Sequence, residues 1–130
     1  MIVNDVMSKN VVVIKKDATI KEASEVMSKI GIGSLVVAED NKIIGMLTNN
    51  DIVKSVANEK PSHSTLIEDI MEKDVVTIEP DKTLQEAVDL MIQHKLRQIP
   101  VVENDKIKGI LSVTDIAVVE PKLIASIAGL

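Results

Sequence analysis

An α+β fold, two β-α-β-β-α repeats packed sheet to sheet with pseudo-two-fold symmetry, is predicted by three observations. The chain repeats itself, each copy carries strand and helix signals in one order, and neither copy is long enough to bury a core alone. Laying Asp5–Ile52 over Asp69–Ile116 takes a shift of 64 residues and no gap, and 19 of the 48 paired positions are identical. A unit of about 60 residues removes only about 60% of its unfolded surface from water, so two units are expected to share one body. The expected boundaries are residues 1–57 for the first repeat, 58–66 for a polar linker and 67–120 for the second repeat, with a tail at 121–130 that reads as helical.

The elements follow in the same order in both copies. An apolar run, Val11–Ile14 or Val75–Ile78, reads as a first strand. Thr19-Ile20-Lys21-Glu22 and Thr83-Leu84-Gln85-Glu86 each fit a capping box, in which hydroxyl and carboxylate satisfy free amides of a helix start. Apolar residues then recur at helical spacing: Ile20, Ala23, Met27 and Ile30, and Leu84, Ala87 and Met91. Leu35–Ala38 and Ile43–Leu47 flank Asp40-Asn41 as one hairpin, and Ile99–Val102 and Ile107–Leu111 flank Asn104-Asp105 as the other. The last element of each copy starts at Thr48 or Ser112 and reads as a helix.

Composition removes several function classes. The 130 residues carry a net charge of −5 and contain no Cys, Phe, Tyr or Trp. Without a basic cluster or aromatic platforms, direct nucleic-acid binding is not expected. No apolar run approaches the ~20 residues that span a bilayer, and no leader pattern opens the chain, so a cytoplasmic protein is expected and no membrane contact. His63 and His94 lack carboxylates at ligand spacing, so no metal site is expected. There is no Cys nucleophile, no Ser-His-Asp ordering and no phosphate-binding Gly-rich loop followed by Lys. The chain is not read as an enzyme, has no catalytic residues and requires no cofactor.

The stretch Gly45-Met46-Leu47-Thr48-Asn49-Asn50-Asp51 recurs as Gly109-Ile110-Leu111-Ser112-Val113-Thr114-Asp115. Two readings stand. In one, Thr48 and Asp51 (Ser112 and Asp115) are a second pair of capping boxes. In the other, the helix start, the hydroxyl and the Asp acceptor hold the phosphate and ribose of a ligand. Two features favour the ligand: Asp is expected to reach back to the cap less well than Glu, and Gly45 and Gly109 leave room for a close approach to the backbone.

Taken together, the duplication, the Asp-Val-Met and Asp-Ile-Met openings (Asp5–Met7, Asp69–Met71), Arg97-Gln98-Ile99-Pro100-Val101-Val102 and the paired Gly-x-x-Thr/Ser-x-x-Asp motifs resemble the CBS domain, the module named for cystathionine beta-synthase. The resemblance covers roughly Val3 to Glu120 and implies a stand-alone regulatory tandem pair. It implies adenosine-containing ligands (AMP, ADP, ATP or S-adenosylmethionine) in clefts between the repeats, and a homodimer that transmits the signal. Ribose and phosphate contacts carry over onto Thr48, Asp51, Ser112 and Asp115. A basic residue before the Pro-Val strand implies a phosphate contact for Arg97, against a plain surface charge; the first copy has Gly33 there. Adenine lining is implied for Val12, Val13, Val76 and Thr77, with Ile32, Leu96 and Pro100, although for Val12 and Val76, as strand residues, a core position is the preferred reading. A ligand-free dimerisation or protein-docking module is the alternative, and its feature is the apolar stripe Leu123, Ile127 and Leu130.

Overall fold

The computed structural model describes residues 1–127. They divide into two compact units: a central one, Val12–Val75, and a terminal one, Met1–Val11 with Val76 onward. The opening segment of each repeat therefore belongs to the unit that holds the body of the other repeat. The duplicated sequence marks the repeats, whereas packing assigns their openings crosswise.

In the central unit, β1 (Val13–Ile14) runs parallel to β2 (Ser34–Glu39), which pairs antiparallel with β3 (Lys42–Thr48). The hairpin turns at Asp40 and Asn41 with φ of 52° and 62°, the left-handed pair that Asn and Asp tolerate. Helix α1 (Ile20–Ile30) is capped as expected: Thr19 Oγ1 accepts from Glu22 N at 3.2 Å, and Glu22 Oε1 accepts from Thr19 N at 3.3 Å. Its next two free amides go to linker carbonyls, Ile20 N to Thr65 O (3.0 Å) and Lys21 N to Ser62 O (2.9 Å). The linker is thus part of the helix cap. Ala23, Met27, Leu35, Val37, Leu47 and Ile67 form the core. Ile30, expected on the apolar stripe, is 53% exposed because α1 ends immediately after it at Gly31. Helix α2 (Asn49–Ala57) follows β3 directly.

The terminal unit repeats the plan with α3 (Leu84–His94), the hairpin β4 (Gln98–Glu103) and β5 (Lys106–Ser112), then α4 (Val113–Val119) and a short α5 (Pro121–Ile124). Its core gathers Val3, Ile78, Leu84, Ala87, Val88, Met91, Ile99, Val101, Leu111, Ile116 and Ile127. The first strand expected at Val75–Ile78 shrinks to one bridge, Ile78 with Val101. The cause is chemical. In the central unit Val36 N donates to Val12 O at 3.2 Å, but the matching residue is Pro100, which has no N–H to give.

The C-terminal stripe is also corrected. Leu123 packs against the core of the terminal unit and Ile127 is 3% exposed within it, so both serve their own unit rather than a partner. Leu130 lies outside the described residues.

Candidate functional site

Each unit brings its own set of expected residues together through one backbone bond. In the central unit Asn49 N donates to Gly33 O at 3.0 Å, tying the start of α2 to the loop before β2. In the terminal unit Val113 N donates to Arg97 O at 2.9 Å, tying the start of α4 to the loop before β4. Ile32 therefore shares a neighbourhood with Thr48 and Asp51, and Leu96 and Arg97 share one with Ser112 and Asp115. Pairing of β1 with β2 adds Val12 and Val13 to the central set, while the Ile78 bridge brings Val76 and Thr77 to the terminal unit.

Their exposure differs. Val13, Thr77 and Arg97 are exposed, and Val12, Ile32, Val76 and Leu96 are half-buried, with Val12, Ile32 and Leu96 packed on their cores. Pro100 is buried within β4 opposite Ile110. A groove of about 210 Å³ in the central unit runs between Ser24, Ser28, Ile32, Asn49 and Ile52, beside the start of α2. A second, of about 400 Å³, lies along α3 between Thr77, Lys82, Glu86, Asp89 and Gln93. Of the expected terminal residues it contains Thr77 and neither Ser112 nor Asp115.

Both strand-to-helix motifs are real capping boxes. Asp51 Oδ2 accepts from Thr48 N at 2.9 Å and from Thr48 Oγ1 at 3.1 Å, while Thr48 Oγ1 accepts from Asp51 N at 3.3 Å. Asp115 Oδ2 accepts from Ser112 N at 3.0 Å, and Ser112 Oγ accepts from Asp115 N at 3.1 Å. The expectation that Asp reaches back poorly is overturned. These distances match the Glu boxes because a cap residue in extended conformation at φ −120° or −117° turns its amide towards the third helical residue. Capping does not exhaust the group, since a carboxylate has about four lone-pair positions.

The glycines need a second correction. A Cβ on Gly45 would collide with Met71 Sδ and stand 3.0 Å from Glu72 O; on Gly109 it would stand 2.7 Å from Met7 Sδ and 2.6 Å from Ser8 O. The close approach is made by the chain's own Asp-Ile-Met and Asp-Val-Met segments, not left open to a ligand. Paired backbone bonds hold each crossing: Met46 with Glu72 (2.9 and 2.8 Å) and Ile110 with Ser8 (both 2.9 Å).

One residue escaped the sequence reading. Asp51, first as a hydrogen-bond partner and then through its charge, holds the Glu72 carboxyl above its ordinary range. The only signal in the sequence is its place after Met71, where the first copy has Ser8.

Comparison with known proteins agrees with this architecture. The CBS domain family matches residues 3–58 and 67–121. The CBS domain-containing protein YhcV of Bacillus subtilis is 31% identical over 89% of this chain and 83% of its own length. Protein MK0525 of Methanopyrus kandleri is 37% identical over 96% of this chain, which spans only 65% of that longer protein. Among solved structures, the CBS domain pair of protein MJ0100 in complex with 5′-methylthioadenosine and S-adenosyl-L-methionine superposes with a TM-score of 0.85. It is 27% identical, over 94% of this chain and 97% of that one. No helix among the described residues is long and apolar enough to cross a membrane.

Proposed function

This chain belongs to the CBS domain family, and from that premise we propose that it is a cytoplasmic sensor of an adenosine-containing ligand. The observation that carries the reading is the twofold gathering of a strand end, a loop and a capped helix start by the Gly33–Asn49 and Arg97–Val113 bonds. In each unit the helix start turns its positive end to phosphate, Asp51 or Asp115 offers acceptors to ribose hydroxyls, and Val12–Val13 or Val76–Thr77 offers backbone to an adenine edge. Ile32 and Leu96 supply aliphatic walls where no aromatic ring exists. The MJ0100 pair, bound to two adenosine compounds, supports the ligand class.

Arg97 adds a phosphate partner to the terminal unit. A charge-assisted bond contributes roughly 1.5–3 kcal/mol. Calorimetry with AMP, ADP and ATP should show a stronger site that weakens in Arg97→Ala; titrations identical to the parent would reduce Arg97 to a surface charge. Adenine retained through purification would also show directly at 260 nm, since the protein has no Phe, Tyr or Trp.

A homodimer is the proposed means of transmission. Val53 and Val56 on α2 are 64% and 69% exposed, and Val118 on α4 is 83% exposed. Sedimentation showing a monomer at high micromolar concentration, with and without nucleotide, would remove this part of the reading.

A further inference from the structure

The two units differ in the charged residues carried by the segments that meet the helix start: Glu72 in the central unit, Arg97 in the terminal one. In the central unit Asp51 is 4% exposed, and the Met46 pairing holds Glu72 on the crossing segment beside the strand that leads to Asp51. There Asp51, first as a hydrogen-bond partner and then through its charge, holds the Glu72 carboxyl above its ordinary range. Asp74 adds to the negative surroundings of Glu72, Lys54 opposes it, and β3 contributes no charge at Gly45 or Met46. The loop before β2 supplies Gly33. In the terminal unit Ser8 occupies the place of Glu72, in the same backbone pairing, and the loop before β4 supplies Arg97.

We infer that Glu72 is a specificity-determining residue: it makes the central unit take an uncharged or cationic adenosine compound and turn away a phosphorylated one. This rests on the adenosine reading proposed above. A phosphate arriving at α2 meets the roughly half-unit positive charge of the helix start. Above the Glu72 titration it also meets two full carboxylate charges, which outweigh that partial charge at comparable distance. Arginine, which pairs with phosphate through two parallel bonds, is missing from that loop. An uncharged 5′ substituent or a sulfonium meets no such opposition. Ribose recognition itself is untouched, because Asp51 keeps acceptor positions beyond those that Thr48 uses.

Calorimetry at about pH 8 on the full chain tests this, with adenosine and AMP as probes and Asp115→Asn as the background that weakens the terminal site. Adenosine should bind that variant more tightly than AMP. Adding Glu72→Gln should strengthen AMP about tenfold while leaving adenosine within about threefold, and Glu72→Ser, the residue of the other unit, should do the same. AMP binding as tightly as adenosine in Asp115→Asn, or unmoved by both Glu72 substitutions, overturns the inference and leaves the adenosine reading standing. If neither compound binds the parent chain, the adenosine reading falls and this inference with it.

Discussion

Met71 lies where a side chain on Gly45 would have to stand, and Met7 bears the same relation to Gly109. At Gly45 the severest obstruction is a flexible thioether, and the backbone oxygen of Glu72 stands at 3.0 Å. At Gly109 the backbone oxygen of Ser8 stands at 2.6 Å and is locked in a paired bridge. Overpacking of this kind costs typically 1–3 kcal/mol. Both alanine variants should unfold at lower denaturant than the parent, Gly109→Ala at the lower of the two. Equal midpoints would mean that the segment yields as easily as the methionine side chain.

The aspartate caps give a second expectation. Asp115→Asn keeps an acceptor for Ser112 N but loses the charge that complements the helix dipole, so it should cost about 0.3–1 kcal/mol. Asp51→Asn loses the same interaction and gains relief from Glu72, so its apo melting temperature should fall less. If both are also ribose clamps, affinity for adenosine nucleotides should drop roughly 10- to 100-fold at the altered unit. Melting curves with and without nucleotide separate the two effects. An unchanged ligand-induced shift in both variants would leave capping as the sole role.

Glu72 predicts a direction with pH. Its carboxyl is held above its ordinary value in the folded chain, first by the hydrogen bond to Asp51 and then by the Asp51 charge. A raised folded value favours the protonated form, so this contribution is complete below the unfolded value and is lost as pH rises through the folded one. Glu72→Gln cannot titrate. Between about pH 4 and pH 7 its melting temperature should therefore rise relative to the parent, with the difference smallest at the acid end. A constant offset across that range would contradict the Asp51–Glu72 contact.

The end of α3 offers a stabilising change. Lys95 holds φ 56° and ψ 49°, the left-handed cap conformation that Gly31 takes at the end of α1. A side chain there costs roughly 1–2 kcal/mol, partly offset by the greater freedom of glycine in the unfolded chain. Lys95→Gly should raise stability by about 0.5–1 kcal/mol in urea unfolding, and a loss would mean that the lysine side chain makes compensating contacts.

The amino-acid sequence alone determined the duplication, the order of elements, four capped helix starts and both hairpin turns. All of these rest on bonds between residues close in the chain: Thr19 with Glu22, Thr83 with Glu86, Thr48 with Asp51, Ser112 with Asp115. The family was legible for the same reason, since its motifs are short and come in order. Tertiary structure decided what the motifs face. Gly45 and Gly109 read as open backbone until Met71 and Met7 came to lie over them. Ile127 read as a surface stripe until it entered the core beside Ile116, and Val76 read as a strand until Pro100 stood where a donor was needed. Glu72 acquired a meaning only when the Met46 pairing carried it to Asp51. Contacts between residues this far apart depend on which segment fills the space above a given strand, and packing against the whole unit, not local propensity, makes that choice.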